Sequence, residues 1–150
     1  MIRNLSIEDC LAIIESNYIG HLAYVFGENP IVIPITYFYS KTEKFIICYS
    51  SAGQKIDAMR KNNLVSLSID EIDSVNQWRS VQVEGVFEEL EGPDAKFYLH
   101  EFTQGIIQIM ADKERKNVEF ISQFSSKLEA DGIPIVFRIN NLEISGKQRQ

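Results

Sequence analysis

The stretch "YSSAGQKIDAMRKNN", residues 49–63, lies between two apolar runs, "FIIC" (45–48) and "LVSLSI" (64–69). Both runs read as strands. Within the stretch, Ile56, Ala58 and Met59 fall on one face and Lys55, Asp57, Arg60 and Lys61 stay polar. That spacing predicts a helix of two to three turns, stopped by Asn62 and Asn63. The chain therefore leaves a strand, turns through Ser-Ser-Ala-Gly and enters a helix. The first N–H groups of a helix have no intrahelical acceptor and carry the positive end of its dipole. Ser50 and Ser51 add hydroxyls, Gly53 permits close backbone approach, and Lys55 adds a full charge. Such a set suits a phosphate. A Ser-rich turn with a solvated Lys fits the same letters, so the stretch alone leaves both readings open.

Outward from this turn the sequence alternates strands and turns. On its N-terminal side, "YIGHLAYVF", the turn "GENP", "IVIPITYFY" and the turn "SKTEK" lead into "FIICYS", a meander of antiparallel strands. Pro34 inside its strand predicts an edge, a bulge or a gap, because proline has no N–H for a ladder. Before the meander, "LSIEDCLAIIESN" reads as a helix capped by Ser6, with Asp9 in the first turn, Leu11, Ile13 and Ile14 buried, and Asn17 as its end.

On its C-terminal side, "LVSLSIDEI" and "QWRSVQVEGVFEELEG" are strands. Val81, Val83, Gly85 and Phe87 share one side of the second, and Gly85 suggests a bulge. "PDAKFYLHEFTQGIIQIM" and "DKERKNVEFISQFSSKLEA" read as helices, with Pro93 near a start and Gly132 past an end. "IPIVFRINNLEIS" is the closing strand, and "GKQRQ" reads as a polar tail. About six strands, a short helix between them and a helical insertion give a mainly β (α+β) fold, a small barrel with helices outside it. One domain over residues 1–150 is expected.

Composition narrows the function classes. The chain has 150 residues, 45% of them hydrophobic, which suits one core, and 24% charged, which gives no case for disorder. A net charge of −6 argues against broad binding to nucleic acid or anionic membrane, but not against a local anion site. Cys10 and Cys48 lack the spacing of a disulfide framework or zinc site, and His21 and His100 lack metal-ligand spacing. No metal is expected. The apolar runs are too short to span a membrane, and "MIRNLSIEDCLAII" is broken by charges, so a soluble cytoplasmic protein is expected. No nucleophile elbow, Walker loop or dinucleotide Gly-rich fingerprint is visible. Two further stretches carry polar chemistry. "WRSVQVEG" offers Trp78 to cover a flat ring and Arg79 to fork onto an anion, and "PITYFY" offers Thr36 and Tyr37 beside the interrupted ladder. Each also reads as ordinary surface or strand.

Taken in order, "IGHLAYV", "NPIVIPITYFY", "KFIICYSSAGQKIDAMRKNNLVSLSID" and "WRSVQVEGVFEEL" resemble the pyridoxamine 5′-phosphate oxidase-like, flavin-binding split-barrel family, nearest its nitroimidazole-reductase-like branch. The likeness covers residues 5 to 91, and "VFRINNLEISGK" more loosely. It implies a six-stranded antiparallel split barrel and a homodimer with FMN at the subunit interface. It assigns Ser50, Ser51 and Lys55 to the phosphate, with Tyr49 beside them, and Ile35, Thr36 and Tyr37 to the isoalloxazine. Trp78, Arg79 and Ser80 complete the pocket, from the other subunit in the family's arrangement. Many relatives carry His where this chain has Tyr49 and a second base where it has Gln54, so one phosphate contact is missing here. The resemblance implies an FMN-dependent oxidoreductase passing electrons from NAD(P)H to a small electron-poor acceptor such as a nitroaromatic or quinone. It leaves room for a flavin carrier or sensor, or for haem or a deazaflavin in the same barrel. No residue stands out as a general acid or base, so no catalytic residue is assigned.

Overall fold

The computed structural model describes residues 1–113 and 134–150. Its elements run β1 (Ile2–Asn4), α1 (Ile7–Ser16), β2 (Ile19–Phe26), β3 (Asn29–Thr36), β4 (Phe38–Ser40), β5 (Phe45–Ser50), α2 (Gln54–Lys61), β6 (Leu64–Ser74), β7 (Gln77–Glu89), α3 (Gly92–Lys113) and β8 (Ile135–Arg149). The strands form one antiparallel sheet in the order β3-β2-β6-β7-β8-β5-β4, with β1 added to β8. The architecture is the mainly β split-barrel type with peripheral helices. Eight strands replace the six expected, for two local reasons. "IVIPITYFY" breaks at Tyr37 into β3 and β4, and Ile2–Asn4 pairs with the chain's end. "GKQRQ" is therefore no tail, since β8 runs through Arg149 with β7 on one side and β1 on the other. The helix expected beyond Lys113 and its stop at Gly132 lie outside the described residues.

The core follows from strand alternation. Leu22 and Tyr24, Leu67 and Ile69, and Val81 and Val83 point inward, joined by Ile13 and Ile14 of α1 and Ile56 and Met59 of α2. The run "FIIC" does not alternate because β5 is covered on both faces. Ile46 and Cys48 face the barrel core, while Phe45 and Ile47 lie under α3 with Phe102, Ile106 and Met110. Ser6 caps α1, its side chain accepting from the Asp9 N–H at 3.1 Å. Gly27 opens the two-residue turn between β2 and β3 at φ 65°, where a side chain would be strained.

The expected bulge lies between β7 and β8. Glu84 pairs with Glu143 and Val86 with Asn140, so Asn141 and Leu142 oppose Gly85 alone. The extra residue belongs to β8, with Asn141 at φ 52°. A Cβ on Gly85 would stand 2.6 Å from Ile139 Cγ2 and 2.7 Å from the Asn140 carbonyl oxygen. Gly85→Ala should therefore lower the unfolding free energy by about 1–3 kcal/mol, the usual cost of overpacking. Gly53, whose Cβ would meet nothing within 4 Å, is the control. Urea titration checks this, and equal midpoints for the two alanine variants would contradict it.

Candidate functional site: the cleft between β3 and the β5–α2 turn

β3 ends the strand order and has β2 as its ladder partner, so among the described residues its other edge is open. Which backbone groups face that edge follows from alternation. The Tyr37 N–H donates to the Tyr18 carbonyl at 2.9 Å, continuing the Ile35–Gly20 rung. Ile35 and Tyr37 thus turn their backbone groups toward β2, and Pro34 and Thr36 turn theirs outward. Pro34, opposite His21, consequently costs the ladder no bond. Of the three residues that the resemblance sets along the ring, Thr36 thus turns its N–H outward, beside the outward Pro34 carbonyl, whereas Ile35 and Tyr37 do not.

This edge borders a cleft of about 510 Å³ whose other wall is Tyr49, Ser50 and Ser51, the end of β5 and the turn into α2. Pro134 closes one side. Five of the ten expected site residues therefore meet: Ile35, Thr36, Tyr49, Ser50 and Ser51. Ser50 is 7% exposed, and its hydroxyl donates to the Ser51 carbonyl at 3.1 Å. Tyr49 packs edge-on against Phe102 of α3, ring centres 5.5 Å apart. In α2 the first helical bond runs from the Asp57 N–H to the Gly53 carbonyl at 3.1 Å. The N–H groups of Gln54, Lys55 and Ile56 precede it and have no intrahelical acceptor. Lys55 is half-buried and makes no salt bridge or side-chain hydrogen bond among the described residues. Burial pushes the Cys48 thiol on β5 well above its ordinary range, and the Lys55 charge only partly offsets this. The donor set, one ammonium with hydroxyls and free helical N–H groups beside an open strand edge, fits a ribityl phosphate and a polar ring edge.

The other five residues stand differently. Tyr37 is wholly buried and its hydroxyl donates to the Ile14 carbonyl at 2.8 Å, tying α1 to the barrel. Burial, with the nearby Cys48 and Glu71 adding to it, drives its phenol far above the usual range. Its side chain is structural in this fold. Lys55 borders the turn without lining the cleft, and Trp78, Arg79 and Ser80 lie on the β6–β7 hairpin beyond the cleft's walls. Pro34 and Pro134 were missed as wall residues. Pro34 carried a signal, the proline inside a strand, whereas Pro134 is brought in only by the pairing of Ile135 with Ser50.

Arg79 donates to Glu71, and the Asn17 side chain donates to Glu71 at 2.9 Å and to the Ile13 carbonyl at 2.8 Å. Lys113 donates to the Asn17 amide oxygen at 2.5 Å. Burial raises the Glu71 carboxyl, but the hydrogen bonds from Asn17 and Arg79 and the charges of Arg79 and Lys113 outweigh it and hold it below its usual value.

A family model described as pyridoxamine 5′-phosphate oxidase matches residues 6–148. This chain belongs to the pyridoxamine 5′-phosphate oxidase family. A Rhizobium meliloti protein described as uncharacterized is 40% identical over 89 residues, 59% of this chain and 58% of that protein's length. The match thus spans little more than half of that relative. Among solved structures, a FAD-binding protein of Mesorhizobium loti is 25% identical with a TM-score of 0.74, covering 100% of this chain and 98% of its own. A Bacteroides thetaiotaomicron protein described as a candidate 5-nitroimidazole antibiotic resistance protein shares the fold at 15% identity and a TM-score of 0.58, over 99% of this chain and 89% of its own. The oxidase-family match agrees with the order of motifs in the sequence, and the Bacteroides protein has the same fold. No helix among the described residues is long and apolar enough to cross a membrane.

The depressed Glu71 carboxyl makes one stability prediction for this family member. Its folded value lies below its unfolded value, so its contribution is complete above the unfolded value and is lost as pH falls through the folded one. Glu71→Gln should therefore flatten the acid limb of the melting temperature against pH, leaving a difference near neutrality that shrinks toward pH 3. Parallel curves for the two proteins would refute this.

Proposed function

We propose that this chain is a homodimeric flavoprotein that passes electrons from NAD(P)H to a small electron-poor acceptor such as a nitroaromatic or quinone. The observation that carries the reading is the cleft itself, where an open strand edge faces a Ser-Ser turn that leads to Lys55 and the start of a helix. In this reading Lys55, Ser51 and the free N–H groups of α2 hold the phosphate. The Thr36 N–H and the Pro34 carbonyl meet the polar edge of the ring, and Tyr49 forms a side wall. Ile35 contributes its buried side chain to the floor. When bound, the flavin supplies two-electron redox chemistry, and the protein supplies binding and orientation. FMN is the form expected from the sequence. The FAD-binding relative from Mesorhizobium loti, similar over nearly its whole length, widens the candidate to either flavin.

The homodimer is supported by the outer face of the sheet. Ile72 is 70% exposed and Leu64 66% exposed, on strands whose other side is core. Leu64 pairs with Val86 at one end of the β6–β7 ladder and Ile72 with Trp78 at the other, two apolar patches on this face of the kind that interface cores favour.

A visible absorbance spectrum of the purified protein, repeated after dialysis against excess FMN or FAD, tests the reading. A flavin spectrum should remain with the protein, and nucleotide released by denaturation identifies the form. Lys55→Ala should weaken binding by roughly one to two decades, the loss of a charge-assisted bond of about 1.5–3 kcal/mol. Bound flavin, once reduced, should be reoxidised by a nitroaromatic faster than free flavin is. The absence of any retained chromophore with either flavin would end the flavoprotein reading. Retention without faster reoxidation would leave a carrier and remove the oxidoreductase.

A further inference from the structure

Across the middle of the outer sheet face runs a neutral rung, with Ser68 of β6 opposite Gln82 of β7 and Gln82 opposite Ser145 of β8. Directly opposed residues project to one side of a sheet. Val81 and Val83, which flank Gln82, point into the core, so this rung faces outward. Two residues along the strands in one direction stands Glu84 opposite Glu143, and two in the other stands Ser80 opposite Lys147. Four residues out, the β6–β7 ladder carries Leu64 with Val86 on the first side and Ile72 with Trp78 on the second. Along β8 the face therefore runs acidic, neutral, basic, between two apolar ends.

Neither of these β8 charges is used within the chain. Glu143 and Lys147 are exposed, and neither makes a salt bridge or side-chain hydrogen bond among the described residues. Glu143 instead faces Glu84, whose carboxylate accepts from the Gln82 amide at 3.3 Å. Like charges directly opposite in a ladder are destabilising, and a cation from outside the chain would relieve the pair. The groove around Lys147, between Asn4, Leu5, Trp78 and Ile144, has no carboxylate in its walls. Asp70 lies beyond Ser80 on the same row and already accepts from the Ser80 and Ser68 hydroxyls. Arg149 differs, because Glu71 and Asp73 of its own chain share its groove.

A second copy of the same face supplies what each end lacks. Take a face-to-face pair whose two-fold axis lies along the Ser68–Gln82–Ser145 rung, so that each strand crosses its own copy running the opposite way. Glu143 then meets Lys147 of the other copy, and Lys147 meets its Glu143. Glu84 lies over Ser80, Asp70 over Ser66, and Leu64 with Val86 over Ile72 with Trp78. Packed sheets stand about 10 Å apart, a gap that a glutamate and a lysine span when they reach toward each other. Moving the axis two residues either way would set Glu143 on Glu143 or Lys147 on Lys147, so the charges select this register. We propose that the outer sheet face is the homodimer contact, with Glu143 of each copy paired to Lys147 of the other about this axis. The assignment rests on the homodimeric reading above and is independent of which flavin is bound.

Sedimentation equilibrium on Glu143→Lys, on Lys147→Glu and on their one-to-one mixture tests the pairing. Both positions are exposed, so each variant should keep the wild-type circular dichroism spectrum. Each single variant sets like charges against each other twice per dimer, and its dimer dissociation constant should rise at least about tenfold. In the mixture one chain brings cations to both positions and the other brings carboxylates. The two variants should therefore pair with each other, with a dissociation constant within about threefold of the wild type. The doubly exchanged chain, Glu143→Lys/Lys147→Glu, should dimerise with itself as the wild type does. Single variants that dimerise like the wild type overturn the pairing, and so do folded, weakened variants that neither mixing nor double exchange rescues. A monomeric wild type overturns the homodimer as well, whereas a dimer indifferent to these charges overturns this contact alone.

Discussion

β8 is the element on which the rest of the fold depends. Its first half pairs with β5, its last residues with β1, and nearly its full length with β7. Through it the β2–β3 and β6–β7 hairpins are joined to the strand that delivers the Ser-Ser turn. The bulge opposite Gly85 lets one continuous strand serve both parts, since an extra residue bends the strand and adds local twist. β8 thus stands between β7, which carries Gly85, and β5, which ends in the Ser-Ser turn.

The barrel leaves the cleft at the seam where its two ends fail to pair. Alternation along β3 directs half of its backbone groups into β2 and the other half toward the seam. The β5–α2 turn brings its hydroxyls and the start of a helix to the same place. Neither side has to be strained for this. Ser50 satisfies its own hydroxyl locally, and Lys55 is half-buried with no salt bridge to a carboxylate among the described residues. The insertion after β7 reaches the same region by two routes, through Phe102 against Tyr49 and through Pro134 at its return.

Much of this was legible in the letters. Ser6 and Asp9 marked the first helix, Pro34 the open edge, Gly85 the bulge, and the Ser-Ser-Ala-Gly-Gln-Lys turn the strand-to-helix corner. These are local signals, each set by a residue's own backbone preference. The failures were non-local. "GKQRQ" has no strand pattern, and it is ordered by β1 and β7, which lie far from it in sequence. Tyr37 looked like a free hydroxyl because nothing near it in sequence reveals the Ile14 carbonyl. Arg79 looked available because Glu71 is eight residues away across a hairpin turn. Burial and pairing partners, unlike caps and turns, are decided by the assembled sheet.

The two prolines of β3 have a consequence beyond the ladder. An open strand edge is a template on which another chain can add a strand, and proteins that keep one exposed risk aggregation. Pro30 and Pro34 occupy outward-facing rungs, so the edge presents donors only at Val32 and Thr36 along this stretch. A foreign strand would find gaps where its own carbonyls seek partners, while a small molecule needs only one N–H and one carbonyl. The same proline spacing therefore keeps the edge accessible to a ligand and makes it a poor nucleus for intermolecular β-structure.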